Sequence, residues 1–485
     1  MNFNNYNNFN QSNQKGKSGE WRCPLSVVLA LLCVTIVATV LLTFTLTSQW
    51  VRVRDGAVIE EQQKTIDSLK ETLAGGNSGG NDADSNFAKL ELLAKLFERY
   101  SYYSGEFDSQ KILDDVLRAY TKATGDKYAA YYTEEEYAKL LSDNQGSGVG
   151  IGVKITQDIL NVGGQDFLTF NIISIFQNSP AASTELRIGD QIYAIQIDGE
   201  FKTIEELGGF DLALNIMRGE VGSTAVLRAL RPNKDGSYAI VEVEVVRNTY
   251  VQEVVSYRVS ETDSKVGIVR LDEFNMVTPV QFKEAVQALQ AKGVEYFVFD
   301  VRNNPGGDLK SITAVLSYLL NDGDLILNVV DNKDAVVGTI YAGAASYTGS
   351  YAPCSVAQDE VGMFANLKMV VLCNENTASA AEVFVASLRD HKNITIVGQK
   401  TFGKGIIQTY YNLAGVAPYI YTGYVKMTVY AYVTACGVTY HGIGISPTEG
   451  YEVELSDEAW EYNFYVLPEN IDNQLLKAIE AVKNQ

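Results

Sequence analysis

From residue 265 onward, strand-length apolar runs alternate with longer runs of helical period. "VGIVRL" is followed by "TPVQFKEAVQALQAKG", "EYFVFDV" by "DLKSITAVLSYLLND", and "LKMVVLCN" by "AAEVFVASLRD" and then "ITIVG". Parallel strands cannot be joined by a tight turn and need a crossover, usually a helix. The alternation therefore predicts an α/β domain with a largely parallel sheet, spanning 249–485. Upstream the pattern differs. Between 146 and 248, short alternating runs such as "FNIISIF", "DQIYAIQI", "STAVLRAL" and "AIVEVEVV" are separated by turns, with one helix expected in "TIEELGGFDLALNIMRG". This is a small β-domain carrying a helix. Residues 86–145 read as helices, "FAKLELLAKLFERY" placing Leu90, Leu92, Leu93, Leu96 and Phe97 on one face.

The N-terminus is of another kind. Residues 1–22 open with the asparagine-rich "MNFNNYNNFNQSNQ", which predicts a disordered cytoplasmic tail. Residues 23–51 hold no charged side chain and exceed the ~20 apolar residues that cross a bilayer. A cleaved signal peptide would have a shorter apolar run, ~7–15 residues, with a small-residue site after it. The expectation is an uncleaved single span through the cell membrane. Lys15, Lys17 and Arg22 precede it, which favours a tail inside and the body outside the cytoplasm. Residues 52–85 read as a stalk, "VIEEQQKTIDSLKETL", and a flexible linker, "AGGNSGGNDADS".

Composition removes whole classes of function. With 59 acidic and 39 basic residues, a formal charge of −20, the chain lacks the clustered basic surface of a nucleic-acid binder. The five cysteines give neither a disulfide framework nor a C-x-x-C metal pattern. No metal or cofactor is implied. The glycines of "GSGVGIGV" (146–153) fit no G-x-G-x-x-G frame, so dinucleotide binding fails on spacing. A glycine-rich strand start, or a loop whose amides at Val149, Gly150, Ile151 and Gly152 capture a peptide's terminal carboxylate, remains.

The chemistry concentrates at Ser379, in "NTASAAE", where an apolar strand gives way to a helix. A serine there can simply cap the helix. As a nucleophile it needs a base, and the chain holds two histidines. His391 lies twelve residues on, ~18 Å away along an unbroken helix. His441 is isolated in "TYHGIGISP". Lysine is the remaining option, since desolvation can bring its pKa toward neutrality. Lys404 stands between Gly403 and Gly405 in "VGQKTFGKGIIQ", with Gln408 four residues further to orient the amine. The turn "NNPGG" (303–307) ends another apolar strand and reads either as a plain turn or as a loop in which a glycine lets an N–H approach a developing oxyanion. Asp300 and Arg302 read as a structural pair.

"NTASAAEVFVASLRD" followed by "VGQKTFGKGIIQ" resembles the catalytic region of the carboxyl-terminal processing (tail-specific) serine peptidases, with Ser379 and Lys404 at the family's separation of twenty-five residues (404 − 379). "NSPAASTELRIGDQIYAIQIDGE" (178–200) is similar to PDZ domains, and "GDKYAAYYTEEEY" (125–137) extends the likeness. The resemblance implies a crotonase-like α/β peptidase domain, Ser379 as nucleophile, Lys404 as base, Gln408 positioning the lysine, and the N–H groups of Ala380 and Gly306 or Gly307 as the oxyanion hole. It implies protein or peptide substrates with apolar C-terminal tails, cut near their C-termini, and self-association through the N-terminal helices. Ala381, Lys127, Ala435 and Thr448 depart from the pattern without touching the dyad. A non-catalytic PDZ scaffold is the alternative; it would not need Ser379 and Lys404 together. A crotonase-like acyl-CoA enzyme would need neither the lysine nor the PDZ domain.

Overall fold

The computed structural model describes Leu90 and residues 93–98, 101–233, 236–343, 354–416 and 422–484. The expected tail, membrane span, stalk and linker lie outside the described residues. Among those described, no helix is long and apolar enough to cross a membrane.

The expected parallel sheet is present. Strands β11 (Val266–Leu271), β12 (Tyr296–Asp300), β15 (Lys368–Cys373) and β16 (Thr395–Gly398) run parallel, and β10 (Val255–Val259) pairs antiparallel on the β11 edge. Both faces are buried, so these strands are apolar almost throughout. Phe297, Phe299, Val269 and Leu271 face one core, with helices α4 (Thr278–Ala291), α5 (Leu309–Leu319) and α6 (Ala380–Lys392). Val266, Ile268, Val298, Val370 and Leu372 face the other, closed by α7 (Asn473–Lys483) through Leu475, Ile479 and Val482. Arg302, 2% exposed, ties β12 to the start of α7. It donates to both carboxylate oxygens of Asp300 (3.0 and 2.7 Å) and of Asp472 (2.9 and 2.7 Å).

A second sheet was not legible. Strands β13 (Leu325–Val330), β14 (Val336–Tyr341), β17 (Ile406–Asn412) and β18 (Tyr424–Thr434) pair antiparallel, and α6 packs between β16 and this sheet. Its fifth strand corrects the all-helical expectation for 86–145. Residues Ala130–Tyr132 form β1, which adds to the edge of β18 with Ala130 opposite Lys426. Around it, α1 (Ser109–Ala123) and α2 (Glu134–Asn144) are helical, α2 opening with a reciprocal Thr133/Glu136 cap. Leu90, Leu93, Leu96 and Phe97 are exposed rather than packed into a core of this chain.

The β-domain has the expected strands. Its sheet runs β3 (Val153–Val162), β4 (Gln165–Ile175), β5 (Gln191–Ile197), β7 (Thr224–Pro232) and β8 (Tyr238–Val246), with β6 (Glu200–Thr203) on β5, so β3 is an edge strand. The helix α3 is shorter than expected, Phe210–Arg218, because Gly208 and Gly209 take left-handed backbone just before it. Strand β2 (Ser147–Gly150), entering the domain, pairs antiparallel with β9 (Asn248–Val251), leaving it.

Candidate active site

Three loops leave the carboxyl ends of neighbouring parallel strands, the edge at which open α/β sheets place their ligands. The loop after β15 carries Ser379, that after β12 carries Gly306, and that after β16 carries Lys404. Polar side chains bind the first two together. Asn374 Oδ1 accepts from the Asn303 N–H (2.8 Å), Thr377 Oγ1 donates to the Val301 carbonyl (2.9 Å), and the Ala378 N–H donates to the Asn304 carbonyl (2.9 Å). Gly306 is then so close that a Cβ would lie 2.7 Å from Ser379 Cβ and 2.7 Å from the Ala378 carbonyl oxygen.

Ser379 is 7% exposed and stands at φ 56°, ψ −119°, immediately before α6. Positive φ is unfavourable for an L-residue, at a cost of order 1–3 kcal/mol, and persists only where neighbours impose it. The bonds that close this helix start run through the Glu382 carboxylate, which accepts from the Ser379 N–H, and through the Ser379 carbonyl, which accepts from the Glu382 N–H (2.8 Å). The Ser379 hydroxyl faces the buried phenol of Tyr432, whose pKa burial pushes up to about 12.

Glu382 imposes the geometry, a residue the sequence reading passed over. Its carboxylate is wholly buried. Oε2 accepts from the Ser379 N–H (2.9 Å) and the Lys404 N–H (2.7 Å); Oε1 accepts from the Gly403 N–H (2.7 Å) and Thr401 Oγ1 (2.7 Å). One carboxylate thus clamps the backbone of the serine to that of the lysine with charge-assisted bonds. A signal existed, because an acid three residues after a serine at a helix start is half of a capping box.

Ser379, Lys404, Gln408, Gly306, Gly307 and Tyr432 line one cavity of about 780 Å³. Within it the Ser379 hydroxyl and the Lys404 amine are not hydrogen-bonded to each other; the amine sits 4.5 Å from the centre of the Tyr128 ring. Burial, and then the like charge of Lys426, hold the Lys404 amine below its ordinary value, while Glu382 pulls it back upward. Gln408 Nε2 donates to Thr428 Oγ1 (3.3 Å).

The oxyanion donors need one correction. The Gly306 N–H is committed to Asn304 Oδ1 at 2.8 Å, so Gly306 is not an available donor in this conformation. The bridge to Phe274 uses the Gly306 carbonyl and the Asp308 N–H, leaving the Gly307 N–H out of it. Ala380 is the first residue of α6, and its N–H has no intrahelical acceptor.

Neither histidine lines the cavity. His391 Nε2 lies 2.7 Å from the Leu325 carbonyl, and His441 is exposed. Cys354 and Cys373 are buried, Cys354 with its thiol pushed up to about 12 by burial, and Cys436 is exposed; all three are free. The glycine loop of the β-domain stands apart from Ser379. Val149 lines a separate 370 Å³ cavity together with Asn215 and Arg218; Gly150, Ile151 and Gly152 line neither. Ile151 is buried, and the Ile151 and Gly152 carbonyls accept from the Ala181 and Phe176 N–H groups. Arg218, at the end of α3, lines both cavities.

The sequence model of Peptidase family S41 matches residues 265–450. The chain is 30% identical over 331 residues to the carboxyl-terminal-processing protease of Picosynechococcus sp., covering 67% of this chain and 69% of that one. It is 26% identical over 391 residues to the carboxy-terminal processing protease CtpA of Bacillus subtilis (79% and 74% covered), and 26% over 402 residues to the carboxy-terminal-processing protease of Bartonella bacilliformis (78% and 81%). A serine at the carboxyl end of a parallel sheet, a half-buried amine in the same cavity, and this extent of similarity converge: the chain belongs to peptidase family S41 and is a serine-type peptidase of the carboxy-terminal processing kind.

Proposed function

We propose that Ser379 and Lys404 are the nucleophile and general base of this peptidase. The observation that carries the reading is the Glu382 clamp, which fixes both backbones around one carboxylate beside a shared cavity. An amine held below its ordinary pKa by burial and by Lys426 is the form that can take a hydroxyl proton near neutrality. Neutral Lys404 accepts the Ser379 proton, and the alkoxide attacks the scissile carbonyl. The N–H groups of Ala380 and Gly307 receive the oxyanion, with Gly306 supplying close approach rather than a donor. Lysinium then protonates the departing amine, and water hydrolyses the acyl-enzyme. A short movement of the amine from Tyr128 toward Ser379 accompanies substrate binding.

The β-domain is read as a PDZ-type module. Its edge strand β3 suits an extended apolar C-terminal tail added as a further strand, and Arg218 spans the two cavities through which tail binding is felt at the dyad. Residues 23–51 anchor the enzyme, with the peptidase outside the cytoplasm.

The test compares hydrolysis of one unfolded protein, with and without an apolar C-terminal tail, by wild type, Ser379→Ala and Lys404→Ala, together with fluorophosphonate labelling. Both variants are expected to be inactive, and Ser379→Ala unlabelled. Retained cleavage by Lys404→Ala would refute the dyad, and equal rates on both substrates would refute tail recognition.

A further inference from the structure

The loops of the parallel sheet do not complete the surroundings of Lys404; the turn preceding β1 does. That turn comes from the far side of the β-domain in sequence, and β1 locks it to β18 with Ala130, Tyr131 and Tyr132 opposite Lys426, Val425 and Tyr424. Two contacts then reach the dyad. The Tyr128 ring lies under the Lys404 amine, its centre 4.5 Å from Nζ. The Asp126 carboxylate spans Thr428, Oδ2 accepting from its N–H (2.7 Å) and Oδ1 from its hydroxyl (3.0 Å), while Oδ1 also accepts from the Tyr128 N–H (2.9 Å).

We propose that Asp126 and Tyr128 are positioning residues for the base, Tyr128 by seating the Lys404 ammonium and Asp126 by fixing, through Thr428, which way the Gln408 amide points. This rests on the reading of Ser379 and Lys404 as the dyad. The second half follows from hydrogen-bond arithmetic. A hydroxyl has one proton. Because Asp126 takes the proton of Thr428, the hydroxyl oxygen is left as an acceptor, and Gln408 presents Nε2 to it at 3.3 Å. The amide oxygen is thereby kept as the end able to receive an ammonium proton. Without a carboxylate at 126, Thr428 is free to donate to the Gln408 oxygen, turning its NH2 toward the lysine, where donor meets donor. The first half follows from ring electrostatics. The face of an aromatic ring attracts a cation and favours the charged amine, against burial and Lys426, which disfavour it, and alongside Glu382, which favours it. Tyr128 therefore both holds the amine and steadies the lysinium formed when the Ser379 proton is taken, at the cost of raising the pH above which the amine is free to act as base.

The experiment measures kcat and KM against pH for the full chain acting on an unfolded protein with an apolar C-terminal tail, with thermal unfolding alongside. The variants are Tyr128→Phe, Tyr128→Leu, Asp126→Asn and, as a control, Lys404→Ala. Tyr128→Leu is expected to lower kcat about tenfold with KM within about twofold, and to move the acidic limb of the profile down by about half to one pH unit. Tyr128→Phe, which keeps the ring, restores both. Asp126→Asn is expected to lower kcat about tenfold at unchanged KM. A wild-type kcat and limb in Tyr128→Leu, or a loss that tracks a lower unfolding temperature with the limb unmoved, overturns the seat. Full activity in Asp126→Asn overturns the amide argument. An active Lys404→Ala would instead sink the dyad itself, whereas an inactive Lys404→Ala beside an unaffected Tyr128→Leu removes this inference alone.

Discussion

Replacing Glu382 by glutamine keeps the size of the side chain and removes its charge. The wild-type carboxylate receives four donors, three of them backbone N–H groups, and is wholly buried. A carboxamide offers one accepting oxygen and turns an NH2 toward the other two donors. The less costly orientation directs that NH2 at Thr401, whose hydroxyl can rotate, and at the Gly403 N–H, which cannot. One buried N–H then loses its acceptor, costing about 1–3 kcal/mol, and the remaining bonds lose their charge assistance, so a total of roughly 2–4 kcal/mol is reasonable. At ~2.1 cal/mol/K of unfolding entropy per residue over the roughly 240 residues of the α/β domain, that lowers the unfolding temperature by about 4–8 °C. Catalysis should suffer more than stability, because the freed segment is the one that sets Lys404 against Ser379; kcat should fall at least about tenfold at a temperature where the variant is folded. Differential scanning calorimetry and peptide hydrolysis measure the two effects. A Glu382→Gln enzyme with an unchanged unfolding temperature and kcat within about twofold of wild type would refute the clamp.

Other outcomes follow from the same geometry. Lys426 disfavours the protonated form of Lys404, so Lys426→Met should raise the lysine's pKa and move the acidic limb of kcat/KM toward higher pH; a limb that stays or moves down contradicts the like-charge argument. Gly306→Ala puts a methyl 2.7 Å from Ser379 Cβ at a φ of 101°, and should cost on the order of 100-fold in kcat/KM with loss of fluorophosphonate labelling; near-normal labelling would show that the turn can yield. Arg302→Met leaves the Asp300 and Asp472 carboxylates buried without their cation, for a loss of about 3–5 kcal/mol read by chemical denaturation. Burial pushes the Asp300 carboxyl up, but Arg302 outweighs it and holds the group below its ordinary value. That stabilisation is present above about pH 4 and fades as pH falls through the lower folded value, whereas protonation relieves the variant's unpaired buried carboxyls, so the stability gap between wild type and Arg302→Met should narrow in acid.

The parallel sheet could be read from the sequence because both of its faces are buried, which leaves runs such as "FVFDV" (Phe297–Val301) almost uninterrupted by polar residues. The antiparallel sheet could not. Strands β17 and β18 carry half-exposed polar and tyrosine residues, "IIQTYYN" and "YVKMTVYAYVT", whose pattern says little about partners far away in the chain. Strand β1 is three residues long and earns its conformation from the edge of β18, not from local preference. At the site, residue types and spacing single out Ser379 and Lys404 as the candidate pair, and the two line one cavity. The commitment of the Gly306 N–H to Asn304 was not, since it depends on a side chain folding back two residues, and neither was the Tyr128 contact, which joins positions nearly three hundred residues apart.

The pairing of Ala130–Tyr132 with β18, on the opposite side of the β2 and β9 ribbon from the rest of the peptidase sequence, makes the proteolytic half of this molecule discontinuous in the gene. A fragment expressed from residue 249 would lack one edge of its own architecture, whereas the module between Ser147 and Val251 hangs from a two-stranded stem whose ends are already neighbours. Excising that module and splicing the stem is therefore the truncation that preserves what surrounds it, and ribosomal synthesis must leave the early strand waiting until residue 434 has emerged.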